Sequence, residues 1–142
     1  MDIRPLTSDY AVSPQIAIED LPAIKAAGFT TVIDNRPDGE IPGEIGAGPM
    51  QAAAEALGLR FVVNPVIGGA MTMENVTAQA AAIAEATGPV LAYCASGNRS
   101  SQVWALANAG KQPTDDLIGI PGRFGYQLEG LRDSIEALAA KG

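Results

Sequence analysis

The segment Val90-Leu91-Ala92-Tyr93-Cys94-Ala95-Ser96-Gly97-Asn98-Arg99-Ser100 passes from four apolar residues through a glycine turn into a polar run, and it sets the architecture of the chain. Four consecutive apolar residues after the breaker Gly88-Pro89 suit a short strand buried on both faces, as a central strand of a parallel sheet must be. The residues after Gly97 predict a helix from Arg99 through Ala109, capped by Gly110. Cys94 therefore stands where strand gives way to turn and helix. In open α/β sheets, the crevice beyond the carboxyl ends of the strands is where ligands bind.

Outward from this unit, β-rich runs alternate with helical ones, the pattern of a parallel sheet flanked by helices. Tyr10-Ala11-Val12-Ser13 is a short strand ended by Pro14. Glu19-Asp20-Leu21-Pro22 opens a helix through Ala27, with acidic residues and proline in its first turn and Gly28 as its cap. Phe29–Asp34 and Leu59–Asn64 are further strands, the first rich in β-branched residues. Pro49 through Leu57 is an alanine-rich helix. Met73 through Thr87 is another, with Thr72 as N-cap and Val76, Ala80, Ile83 and Ala84 at helical spacing. Asp115–Ile120 and Tyr126–Ala140 complete the helices, separated by Gly119-Ile120-Pro121-Gly122. The expected fold is a single α/β domain over residues 1–142: three layers, with a mainly parallel central sheet between helices.

Composition narrows the chemistry. At 142 residues and 47% hydrophobic content, the chain can bury one substantial core. Its net charge of −7 leaves no basic stripe for nucleic acid and no attraction to an anionic membrane surface. The single cysteine excludes an internal disulfide, and the absence of histidine removes Ser-His-Asp and Cys-His hydrolases together with His-ligated metals. No metal or other cofactor is expected. The amino-terminal residues show no basic start followed by an apolar run, so the expected location is the cytoplasm.

Cys94 is the candidate nucleophile. A turn entering a helix aims several main-chain N–H groups at one point, and the helix dipole adds partial positive charge. Arg99 contributes a planar, permanently charged fork that matches an oxyanion. Gly97 allows close approach of a ligand to the backbone. A free cysteine has a pKa of ~8.5, and such surroundings lower it to ~3.5–7.5. Ala95, Ser96, Gly97 and Asn98 form the expected substrate cradle, and Ser100 is placed to donate a hydrogen bond to the thiolate. A lone cysteine is also a common buried core residue, but the sequence context of Cys94 favours function.

The loop Cys94–Ser100, together with Thr31-Val32-Ile33-Asp34-Asn35-Arg36-Pro37-Asp38-Gly39-Glu40, resembles the family called beta-lactamase-hydrolase-like protein, phosphatase-like domain. Ile3-Arg4-Pro5-Leu6 and Val12-Ser13-Pro14-Gln15-Ile16 fit it as well, so the resemblance runs through about Gly110. It implies a fold like that of dual-specificity and tyrosine phosphatases. Relatives fused to persulfide dioxygenase-like or rhodanese-like modules imply sulfur transfer and sulfide detoxification.

Two features of the loop favour sulfur over phosphorus. Phosphatases of this fold carry five residues between Cys and Arg and rhodanese-type enzymes four; here there are four. Cysteine phosphatases also need an acid to protonate the leaving oxygen. Between Glu55 and Cys94, however, the only acidic residues are Glu74 and Glu85, and Pro65-Val66-Ile67-Gly68-Gly69-Ala70 has no ionisable side chain. The expectation is thus a rhodanese-like sulfurtransferase working through a Cys94 persulfide. The donor would be a small anion, thiosulfate or glutathione persulfide, and the acceptor an external thiol. The alternatives are a cysteine phosphatase working through phospho-Cys94 and a non-catalytic anion- or persulfide-sensing module. Arg36 is either an anion contact or a surface arginine paired with Asp38 or Glu40. Asn64 and Gly68-Gly69 are either a pocket wall or ordinary turn residues. Tyr93 and Trp104 read as core, and Tyr126 as rim or packing.

Overall fold

Val90–Tyr93 lies at the centre of a five-stranded sheet in the computed structural model, which describes residues 1–141. The strands are β1 (Arg4–Pro5), β2 (Tyr10–Ser13), β3 (Thr31–Asp34), β4 (Arg60–Val63) and β5 (Val90–Tyr93), in the spatial order β1-β2-β5-β3-β4. Only β1 runs antiparallel to its neighbour. Every residue of β2, β3 and β5 is buried, as expected for strands covered on both sides. β5 is the last strand in sequence, yet it inserts between β2 and β3. Ser13, Asp34 and Tyr93 are paired positions at the carboxyl ends of these three strands, beneath one crevice.

Two helical layers close the sheet. On one face, α1 (Leu21–Ala26) and α2 (Ala47–Ala56) bury Leu21, Ile24, Met50 and Ala54 against Ala11, Val32, Leu91 and Tyr93. On the other lie α3 (Met73–Glu85), α4 (Asn98–Ala107), α5 (Thr114–Gly122) and α6 (Arg132–Lys141), with Trp104, Leu117 and Ile135 packed over Val12, Ile33 and Ala92. Tyr10 stacks on Trp104 at 6.0 Å between ring centroids and 20° between planes, which ties β2 to α4. Burial of such side chains stabilises the fold by about 1.5–3 kcal/mol each. No described helix is long and apolar enough to cross a membrane.

The expected fold class holds, with local differences. β1 escapes the sequence reading because a two-residue strand has no periodicity. Pro121 does not end α5: it sits in the last turn, where its missing N–H removes one bond and its carbonyl caps Phe124 and Tyr126. Tyr126–Leu128 is irregular rather than helical, and α6 begins only at Arg132. On α3, Ala84 is exposed and the buried stripe runs through Val76, Gln79 and Ala82. Thr72 caps this helix as expected, accepting the Asn75 amide at 3.1 Å.

Candidate active site

Cys94 follows β5 directly and is fully buried. The Gly97 amide donates to its Sγ at 3.1 Å, a contact made possible by the left-handed backbone of Gly97 (φ 96°) immediately before α4. An alanine Cβ there would fall 2.2 Å from the Tyr126 hydroxyl, so glycine is required twice over, by backbone and by space. The main-chain amides of Ala95 and Ser96 donate to no acceptor among the described residues, and both residues are exposed. They are open donors at the mouth of the loop. The Asn98 amide is spent on Ser96 Oγ at 3.2 Å.

Arg99 is the second residue of α4, with its end-on edge occupied. Nη1 and Nη2 each donate to a Glu40 carboxylate oxygen at 2.8 Å, and Nη1 also reaches the Val66 carbonyl at 2.8 Å. Of the five guanidinium protons, the Nε–H and one Nη2 proton remain, and they form the side-on edge of the fork. That edge is a bidentate site for an oxyanion. Glu40, and the Cys94 sulfur to a smaller degree, hold Arg99 protonated above its ordinary range. Reciprocally, Arg99 holds Glu40 below the usual carboxylate range.

Arg36 takes the paired one of its two readings, and Ser100 a role other than expected. Arg36 donates through Nε to Glu40 at 3.4 Å, through Nη2 to the Glu40 carbonyl at 3.2 Å and through Nη1 to Gln15 at 3.3 Å. It braces the carboxylate that clamps Arg99 and is not itself turned to the anion. Ser100 does not reach the thiol: its hydroxyl is buried and donates to Asn35 Oδ1 at 2.9 Å. The first turn of α4 turns residue 100 toward the sheet, so the Gly97 amide serves the sulfur instead.

The sequence reading missed what lies beneath. Asn35 Nδ2 donates to Gln79 Oε1 and to the Asn64 carbonyl, each at 2.9 Å; Asn64 Nδ2 donates to the same Gln79 oxygen at 2.9 Å; and Gln79 Nε2 donates to the Tyr10 hydroxyl at 3.0 Å. Tyr10 in turn donates to the Ser100 carbonyl at 3.0 Å. This buried network pins the first turn of α4 to β2, to the ends of β3 and β4, and to α3. The available signal was a glutamine interrupting the apolar stripe of α3. Gly68 and Gly69, by contrast, form an ordinary turn, closed by the Ala70 amide on the Ile67 carbonyl at 2.9 Å.

On the opposite face of β3, Asp34 is buried, with Oδ1 accepting the Arg36 amide at 2.9 Å. Its Oδ2 and the hydroxyl of Tyr93, its paired position on β5, have no hydrogen-bond partner. Burial pushes the Asp34 carboxyl up to about 6. Beside the loop, a cleft of ≈480 Å³ is lined by Arg4, Ser96, Asn98, Phe124 and Tyr126. Arg4 Nη1 donates to the Tyr126 hydroxyl at 2.6 Å, and that hydroxyl donates to the Ser96 carbonyl at 2.7 Å. Tyr126 is thus both rim and packing.

A buried cysteine at the tip of a central parallel strand, open amides above it and an arginine with a free edge stand in a domain of dual-specificity-phosphatase-like fold. The chain belongs to the family described as beta-lactamase hydrolase-like protein, phosphatase-like domain, which matches residues 2–111. The beta-lactamase hydrolase-like protein of Agrobacterium fabrum is 34% identical over 119 residues, covering 82% of this chain and 28% of that protein. The chain spans less than a third of the length of the curated relatives it matches. A crystal structure of a candidate phosphatase from Neisseria meningitidis Z2491 is 30% identical with a TM-score of 0.82, covering 97% of this chain and 99% of the other. The core catalytic domain of the PP-IP phosphatase SIW14 from S. cerevisiae has a TM-score of 0.71 over 94% of this chain and 83% of its own, at 13% identity; that likeness is one of fold.

These findings overturn the expectation of sulfur transfer. The family is phosphatase-like along most of the chain, and the matched structures are phosphatases or candidates for that activity. They support an enzyme of the hydrolase class. The four-residue spacing from Cys94 to Arg99 therefore does not mark a rhodanese. Gly97, in its left-handed conformation, turns the short loop directly into α4 while its amide still faces the sulfur.

Proposed function

We propose that the domain hydrolyses a phosphate monoester through a phospho-Cys94 intermediate. The observation that carries this reading is the set of four donors, three main-chain amides and one guanidinium, in the loop of one buried sulfur. The Gly97 amide lies on Sγ, the Ala95 and Ser96 amides are unspent, and Arg99 is clamped by Glu40 with its side-on edge free. In the first step, the Cys94 thiolate attacks phosphorus, the S–P bond forms, and the P–O bond to the leaving group breaks with its electron pair on that oxygen. The open amides and the Arg99 edge hold the three equatorial oxygens, where charge accumulates. Water then attacks phospho-Cys94, releasing inorganic phosphate and restoring the thiolate. The test is steady-state turnover of an aryl phosphate. Cys94→Ser abolishes it, and Arg99→Lys, which loses the planar fork, lowers kcat by ~10²–10³-fold, as removal of an oxyanion donor does. Undiminished turnover in Cys94→Ser would refute the reading.

A further inference from the structure

We infer that the site acts on phosphates whose leaving oxygen departs as a weakly basic anion (aryl, acyl or anhydride phosphates), with Arg4 rather than a proton donor facing that oxygen. This rests on the phosphatase reading and names its substrate class. A cysteine phosphatase acting on an alkyl phosphate needs a protonated group beside the leaving oxygen. Here each carboxyl group bordering the crevice is already engaged as a hydrogen-bond acceptor or is turned away from it. Glu40 has both oxygens on Arg99 and is braced by Arg36. Asp38 Oδ1 accepts the Ala47 amide at 2.9 Å, at the start of α2. Asp34 is buried on the far face of β3 beside Tyr93. Asp2 is ion-paired with Arg4. The Tyr126 proton is committed to the Ser96 carbonyl. The Pro65–Ala70 loop, whose Val66 carbonyl rests on Arg99, contributes no ionisable side chain.

What the cleft beside the loop offers instead is the Arg4 guanidinium, held by the Asp2 carboxylate through Nε and Nη2 and by the Tyr126 hydroxyl through Nη1. Arg4 lies one hydroxyl away from the loop, joined to it through Tyr126, and lines the cleft into which Ser96 and Asn98 open. Half-exposed Phe124 supplies an apolar wall there. When the P–O bond breaks, the electron pair stays on the leaving oxygen. The guanidinium offsets that charge, and protonation follows in solvent. Arg4 is thus a positioning and charge-stabilising residue at the leaving-group side, separate from Arg99 on the phosphoryl side.

The experiment compares kcat/KM for nitrophenyl, phenyl, acetyl and glycerol phosphates and for pyrophosphate, with phospho-Cys94 followed by intact mass. Glycerol phosphate is expected to lag nitrophenyl phosphate by at least the ~10²–10⁴-fold that a positioned acid contributes, and the pH profile should show no falling alkaline limb from a deprotonating carboxyl. Arg4→Gln should steepen the dependence on leaving-group basicity, an effect that a merely structural role would not produce. The acyl, aryl and anhydride arms distinguish which source of weakly basic leaving group is preferred. Turnover of glycerol phosphate within tenfold of nitrophenyl phosphate, or an alkaline limb abolished by Glu40→Gln, would overturn the inference and leave the phosphatase reading standing. Absence of phospho-Cys94 with every substrate would overturn both.

Discussion

Glu40 gains its importance from geometry rather than from energy. Its pair with Arg99 is partly exposed, and such pairs are worth about 0.2–1 kcal/mol of stability. Yet the pair fixes which edge of the guanidinium faces the sulfur, and misplacement of a catalytic group by about 1 Å costs on the order of 10²-fold in rate. Glu40→Ala should therefore leave the melting temperature nearly unchanged while lowering kcat/KM by about that factor, with Glu40→Gln less severe. Parallel melting and kinetic measurements check this; equal kinetics in wild type and Glu40→Ala would refute the clamp. Gly97→Ala should do the reverse and reduce stability, because its left-handed backbone alone costs about 1–2 kcal/mol before the contact with Tyr126 is counted. Cys94, Gly97 and Arg99 were legible because they are local in sequence and their residue types fit one chemistry. Glu40 was not, since it meets Arg99 across 59 positions. Ser100 was misread because a spacing rule does not say which way the first helical turn faces.

At the scale of elements, two buried polar groups on either side of β3 have opposite effects. On the α3 and α4 side, Asn35, Asn64, Gln79, Tyr10 and Ser100 satisfy one another. Gln79→Leu removes one bond from each of Asn35, Asn64 and Tyr10, which all keep another partner, and should cost about 1–3 kcal/mol. Urea unfolding would read this as a lower midpoint with an unchanged slope. On the other face, burial raises the Asp34 carboxyl from 3.8 to about 6. A carboxyl raised in the folded state binds more protons there than in the unfolded chain. Its contribution is therefore fully present below about 4 and is lost as pH rises through about 6. Asp34→Asn should raise the melting temperature at pH 7 and flatten that part of the pH–stability curve. A melting temperature unchanged at pH 7 would contradict the assignment. Helices α2, α3 and α4 were legible to within a few residues because caps and apolar spacing agree. β1 and the stretch after Tyr126 were not, because tertiary pairing rather than local pattern determines them.

For the whole molecule, alternation of strand and helix revealed a parallel, three-layer α/β domain, and β5 announced itself as central by being wholly apolar. The strand order remained hidden, since insertion of β5 between β2 and β3 follows from long-range packing. That order is what brings Gln15, Arg36, Glu40 and Cys94 to one crevice. The net charge of −7 opposes any anionic ligand at long range, so the local donors of the loop and Arg99 must do the binding. The direct measurement is intact-mass and peptide analysis of protein quenched during turnover of nitrophenyl phosphate. A mass gain of one phosphoryl group located on Cys94, absent from Cys94→Ser and lost as inorganic phosphate is released, is the expected result. Turnover with no phosphoryl group ever found on Cys94 would contradict it.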